Sequence, residues 1–189
     1  MTSPASARKK AATYADIEAL PEHLVGELID GELVVSPRPA LRQARSASRL
    51  GMDLGGPFDR GVGGPGGWII LDEPELHLEA NVLVPDLAGW RRERMPELPD
   101  TAGTSLAPDW ICEVLSPSTE ADDRAGKMPI YARFGVAHLW LLDPILETLE
   151  GFRLQEQGWF LVGTHRGERK VCVEPFDAVE LDLGALWER

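Results

Sequence analysis

Two acidic residues stand in strand-like, otherwise apolar company. Asp86 follows Pro85 in VPDLA, and Glu113 sits inside WICEVL. An acid within a buried strand is costly unless something compensates it, and Glu113 shares its face with Ile111 and Leu115. Two such carboxylates brought to about 4 Å would repel by about 4 kcal/mol at an effective dielectric of 20. A divalent cation removes that cost. No Cys or His set with ligand spacing accompanies them, so hard oxygen donors favour Mg²⁺ or Mn²⁺ over zinc. The competing reading is a strand-end carboxylate paired to an arginine.

Downstream, SPSTEADDRAGK places Asp123, Arg124 and Lys127 just ahead of an expected helix. A lysine beside a bound cation is a point charge suited to a developing phosphoryl anion or to orienting a water. As an exposed pair, Asp123 and Lys127 would contribute less than about 1 kcal/mol. Arg42, Arg45 and Arg49 form one helical stripe. Such a stripe can touch phosphates or be a solvated face. Gly61, Gly63 and Gly66 match G-x-G-x-x-G, but no strand precedes them and a strand follows, which excludes a dinucleotide fingerprint. His23, His77, His138 and His165 lack metal-ligand spacing, and no Gly-x-Ser-x-Gly occurs.

The elements that must position these residues are legible in outline. Thr13 to Leu20 reads as a short helix, with Thr13 and Asp16 as a capping-box variant. Asp30-Gly31 between VGELI and ELVVS predicts an antiparallel hairpin of residues 25–29 and 32–36. Ala40 to Leu54 has helical spacing, with Leu41, Ala44, Ala47 (or Ser48), Leu50 and Leu54 on or near one side. Gly55 to Gly67 reads as a loop. Strands are expected at 68–71, near 76–78, and at 82–88, the last interrupted by Pro85. Residues 96–107 read as loop. WICEVL (110–115) alternates, with Trp110, Cys112 and Val114 opposite Ile111, Glu113 and Leu115. A helix from Pro129 to Phe134 and a strand at 138–143 complete a right-handed βαβ unit. An apolar hairpin, 149–161, follows. The expectation is one mixed α/β sheet in a single domain over residues 13–189, with a disordered tail at 1–12.

Composition fits that class. The chain has 189 residues, 43% apolar and 26% charged, enough to bury a core without staples. Nineteen Lys+Arg against 31 Asp+Glu give a net charge of −12, which excludes a generally basic nucleic-acid coat or membrane-surface protein but not a local basic groove. Cys112 and Cys172 make no disulfide framework. No apolar run suits a membrane span, and a cytoplasmic protein is expected.

The strings VPDLAGW and APDWICEVLSPSTEADDRAGKMPIYARFGVAHLWLLDP, with ELIDGELVVSPRP upstream, closely resemble the Uma family of endonucleases, within the PD-(D/E)XK restriction-endonuclease-like superfamily. The resemblance spans roughly residues 14–187. It implies a restriction-endonuclease-like mixed β-sheet flanked by helices and a Mg²⁺- or Mn²⁺-dependent endonuclease acting on DNA. It also implies Asp86 and Glu113 as metal ligands, the Val114 backbone carbonyl as a third and Glu27 as an auxiliary one. The position two after Glu113 is Leu115 rather than lysine, and Lys127 is the family match for that role. Where many relatives carry a histidine after the SPxP segment, this chain reads RPALRQARS, with Gln43 or Arg45 there. By analogy with the superfamily a homodimer is expected, with Trp159 and Phe160 of the C-terminal hairpin as a contact surface. The alternative is a nuclease fold used as a binding or assembly module without turnover. The acid–acid–lysine set favours the enzyme; the charge of −12 and the missing histidine favour the module.

Overall fold

The structure, a computed structural model, describes residues 11–188. Residues 1–10 of the expected tail lie outside the described residues. Ala12 is tied down, its N–H donating to Gly31 O at 2.9 Å.

The chain opens with α1 (Tyr14–Glu18), entered through Thr13, whose N–H donates to Asp16 Oδ2 at 2.7 Å. The hairpin β1 (Leu24–Ile29) and β2 (Glu32–Pro37) follows in the expected antiparallel register, with Leu28 opposite Leu33. Asp30 and Gly31 both take positive φ, 46° and 84°, as a type I′ turn requires. α2 (Leu41–Leu54) then runs into a π-helical turn, Gly55–Asp59, that buries Phe58. The glycine-rich stretch is therefore loop only from residue 60 onward.

The expected single sheet is in fact two main sheets among the described residues. Of β3 (Trp68–Asp72), β4 (Glu75–Leu78), β5 (Asn81–Leu83) and β6 (Leu87–Arg91), the middle two belong to one sheet and the outer two to the other. With β7 (Gly103–Thr104), a short strand inside the expected 96–107 loop, one sheet runs β2-β1-β5-β4-β7. The other holds β8 (Trp110–Val114), β9 (His138–Asp143), β10 (Thr148–Gln155) and β11 (Gly158–Arg166) in the order β11-β10-β9-β8-β6-β3. The stretch expected as one interrupted strand is thus two strands in two sheets. Pro85, which cannot donate to a ladder, lies with Asp86 at the crossing.

β8 and β9 pair in parallel, as the βαβ reading requires. The two faces of β8 enter different cores. Ile111 and Leu115 pack with Trp90, Tyr131 and Leu139, while Trp110, Cys112 and Val114 pack with Trp68, Trp140 and Phe176. The crossover is helical from Glu120 to Arg133: α3 (Glu120–Asp122), a π-helical turn at Asp123–Lys127, and α4 (Met128–Arg133). Asp123 and Lys127 therefore lie within the helical segment, not ahead of it. A small ladder, β12 (Lys170–Val171) with β13 (Leu181–Asp182), precedes α5 (Leu183–Trp187).

One expectation about α2 fails. Leu41 is 89% exposed, and the buried stripe is Gln43, Ser46, Leu50 and Leu54. The apolar pattern misled because the first turns of α2 face polar partners. Ser46 Oγ donates to Leu186 O at 2.8 Å, and Gln43 Nε2 points to Leu115 O at 3.5 Å. No helix among the described residues is long and apolar enough to cross a membrane.

Candidate active site

The ladder between β6 and β8 pairs Ala88 with Ile111 and Leu87 with Cys112. Asp86 stands just before β6 and Glu113 one residue past the last position of β8 paired with it, so both acids lie at the same end of this ladder. The Val114 N–H donates to Asp86 Oδ2 at 2.7 Å, fixing the carboxylate across the ladder. Asp86 faces a cleft of about 310 Å³ that is also lined by Glu27, Gln43, Glu113, Val114 and Lys127. The acids that stood apart in sequence share one cavity.

Glu113 is only 1% exposed. Its Oε1 accepts from Tyr131 OH at 2.6 Å, and its Oε2 lies 3.3 Å from Lys127 Nζ. The Lys127 ammonium also meets Asp123 Oδ1 at 2.9 Å and Glu27 Oε1 at 3.2 Å. Glu27 is held in turn by the Val84 N–H at 2.8 Å. The Asp123–Lys127 pair exists, but at 5% exposure for Lys127 it is buried rather than a surface pair.

Local chain chemistry explains this burial. Asp123, Lys127 and Tyr131 are spaced i, i+4, i+8, one stripe of the crossover helix. The π turn within it is the kind of irregularity that clusters at functional sites. Gly126 lets the turn approach the hairpin, since a Cβ there would lie 3.1 Å from Ile29 Cγ2. Gly126→Val should therefore push the turn off β1 and cost about 1–3 kcal/mol. Chemical denaturation measures that loss, and an unchanged midpoint would contradict the close packing.

Electrostatically the site is short of positive charge. Glu27, Asp86, Glu113 and Asp123 surround the single ammonium of Lys127. Burial pushes the Asp86 carboxyl up to about 6, against the opposing pull of the Val114 N–H and Lys127. Burial, with repulsion from Asp123, Asp86 and Glu27, holds Glu113 well above the usual carboxylate range even beside Lys127. Glu27 is raised by the same desolvation. Desolvation works against the Lys127 charge, but Glu113, Glu27 and Asp123 outweigh it and hold the ammonium protonated. An oxygen-rich donor set with surplus negative charge suits a hard divalent cation. Among the described residues no three His, Cys, Asp or Glu side chains are already grouped to hold a metal ion. Such a cation would draw on one or two carboxylates, a main-chain carbonyl and water, as Mg²⁺ commonly does.

Of the residues singled out from sequence, Asp86, Glu113, Val114, Lys127 and Glu27 come together in the cleft. The arginine stripe does not. Arg42 and Arg45 lie on α2 beside the cleft, and Arg49 is turned to Glu188 at 3.2 Å. Asp123 as a buried member, Tyr131, and Gln43 as a cleft-lining residue went unrecognised. The i, i+4, i+8 stripe was a signal for the first two.

The fold is similar to a crystal structure described as "a putative nuclease belonging to DUF820" from Anabaena variabilis ATCC 29413. The TM-score is 0.72 at 21% sequence identity, and the match covers 93% of this chain and 97% of that one. No protein of curated function matches the chain. The family model Uma2, "Putative restriction endonuclease", matches residues 11–184. With that match running through both sheets and every residue of the acidic cleft, the chain belongs to the Uma2 family.

Proposed function

We propose that the protein is a divalent-metal-dependent nuclease that hydrolyses DNA phosphodiester bonds in the cleft of Asp86 and Glu113. The observation that carries this reading is the desolvated acidic pair at one end of the β6–β8 ladder, with Lys127 as the buried countercharge. When bound, Mg²⁺ or Mn²⁺ would supply Lewis-acid polarisation of a phosphate oxygen and a more acidic water. Asp86 and Glu113, with the Val114 carbonyl, would hold it, with Glu27 as an auxiliary ligand. The Tyr131 hydroxyl fixes the rotamer of Glu113. Lys127, held charged by its neighbours, places a positive charge where a pentavalent phosphoryl anion develops. The Val114 N–H orients Asp86.

A homodimer belongs to the same proposal, each subunit cutting one strand. Phe160, Leu161 and Val162 are exposed on the edge strand β11 and offer a surface to a second copy. Trp159 is turned inward instead, its Nε1–H donating to Met128 O at 2.9 Å.

Metal linkage tests the reading against a module without turnover. The folded state raises the Asp86 pKa to about 6 from an ordinary 3.8, so it holds that proton more tightly than the unfolded chain does. The resulting stability is fully present below the unfolded value and is lost as pH rises through about 6. In chelator, Asp86→Asn should melt like wild type near pH 4. By pH 7 it should melt about 4 °C higher, on the order of 1–2 kcal/mol after allowing for solvent in the cleft. Millimolar Mn²⁺ should raise the wild-type melting temperature but not that of the variant. Equal responses to Mn²⁺ would remove Asp86 from the metal site and favour the module.

A further inference from the structure

Three observations at the first turns of α2 converge on one surface. A groove of about 290 Å³ lies between α2 and α5, lined by Leu41, Arg42, Arg45, Trp187 and Glu188 together with the buried Leu186. It adjoins the active-site cleft along the helix, since Ala40 and Gln43 line the cleft while Leu41 and Arg42 line the groove. Leu41, which helical spacing sets on the same side as Leu50 and Leu54, is 89% exposed beside it.

The groove presents two neighbouring arginines. In a chain of net charge −12, arginines are commonly paired: Arg92 with Asp59, Arg94 with Asp109, and Arg124 with Glu120 and Glu150. Arg49, one turn beyond the groove, is held by Glu188. Arg42 and Arg45 have no ion-pair partner among the described residues. Arg38, at the cleft mouth, lies 3.6 Å from Glu73 and donates to Glu22 O at 3.4 Å. Arg38, Arg42 and Arg45 thus form a basic track that begins in the cleft and passes over an apolar groove.

We infer that this groove is a subsite for a single-stranded DNA segment leaving the cleft, with phosphates on Arg42 and Arg45 and a base against Leu41 and Trp187. The inference rests on the phosphodiesterase reading for its direction. The occupant must carry anions on one side and flat apolar surface on the other, which unpaired nucleotides do. A duplex keeps its base faces stacked inside the helix and would present only its backbone. The acidic remainder of the surface also disfavours a broad duplex footprint.

Fluorescence anisotropy in chelator tests this without turnover. The probes are a labelled single-stranded 12-mer, a blunt duplex, and that duplex with a single-stranded extension. Wild type should bind the first and third more tightly than the blunt duplex. R42A/R45A, whose replaced side chains are exposed, should retain the wild-type circular dichroism and melting temperature. It should lose about tenfold for the single strand and the extension, with no change for the blunt duplex. Its log K against log salt slope should be shallower by about 1.4, two phosphate contacts at about 0.7 each. Leu41→Ser should weaken the same two probes. Unchanged single-strand affinity in the double variant overturns the subsite. So does an equal loss on blunt duplex, or a dimer in sedimentation that Leu41→Ser dissociates. Wild-type plasmid nicking, run in parallel, separates the two claims. Metal-dependent nicking with no effect of R42A/R45A on strand binding removes the groove alone. Loss of strand binding in R42A/R45A without any wild-type nicking keeps the groove and removes the phosphodiesterase.

Discussion

Glu113→Gln should abolish metal-dependent cleavage while leaving the protein folded. The loss expected is about 10³-fold or more, the several kcal/mol that a charged ligand and its field contribute to a phosphoryl transition state. Stability should move little. The amide can still accept from Tyr131, and Lys127 keeps Asp123 and Glu27 as partners. What the variant loses in one charge-assisted contact it offsets by removing a desolvated negative charge, so the melting temperature should stay within about 3 °C of wild type. Retained cleavage at wild-type melting temperature would take Glu113 out of the chemistry.

Lys127→Met should do the reverse to stability. It strips the countercharge from Glu27, Glu113 and Asp123, all buried. Leaving buried carboxylates uncompensated costs about 3–5 kcal/mol, or about 10 °C in melting temperature. The pH dependence has a definite sign. With Lys127 gone, the carboxyls hold their protons more tightly in the folded than in the unfolded state. The variant therefore gains on wild type as pH falls, and the gap should narrow below about pH 5. Cleavage, measured at a temperature where both proteins are folded, should drop about 10²-fold or more. A melting temperature unaffected at pH 7 would contradict the burial of this cluster.

What could be read from the sequence follows the range of each interaction. The Asp30-Gly31 turn and the two faces of β8 are short-range features, and both stand in the structure as read. The exceptional placement of Asp86 and Glu113 was visible because an acid among apolar strand residues needs an explanation anywhere. The division into two sheets was not visible. It depends on β5 pairing with β1 and β4 while β6, three residues on, pairs with β3 and β8. Nothing local in VLVPDLAG chooses those partners. From local sequence alone a surface pair with Asp123 is the favoured reading of Lys127, because its burial comes from Glu27, 100 positions earlier, on a hairpin that Gly126 admits to close contact. Leu41 was misplaced for the opposite reason. An apolar residue at helical spacing counts toward a core unless polar partners such as Leu186 O and Leu115 O claim the neighbouring face.

Cleavage of supercoiled plasmid by purified protein with Mg²⁺, with Mn²⁺ and with chelator, beside Glu113→Gln, decides whether this cleft hydrolyses DNA. The expected result is nicking or linearisation that needs the divalent cation and disappears in the variant. No cleavage by wild type under any of the three conditions, or equal cleavage by both proteins, would contradict it.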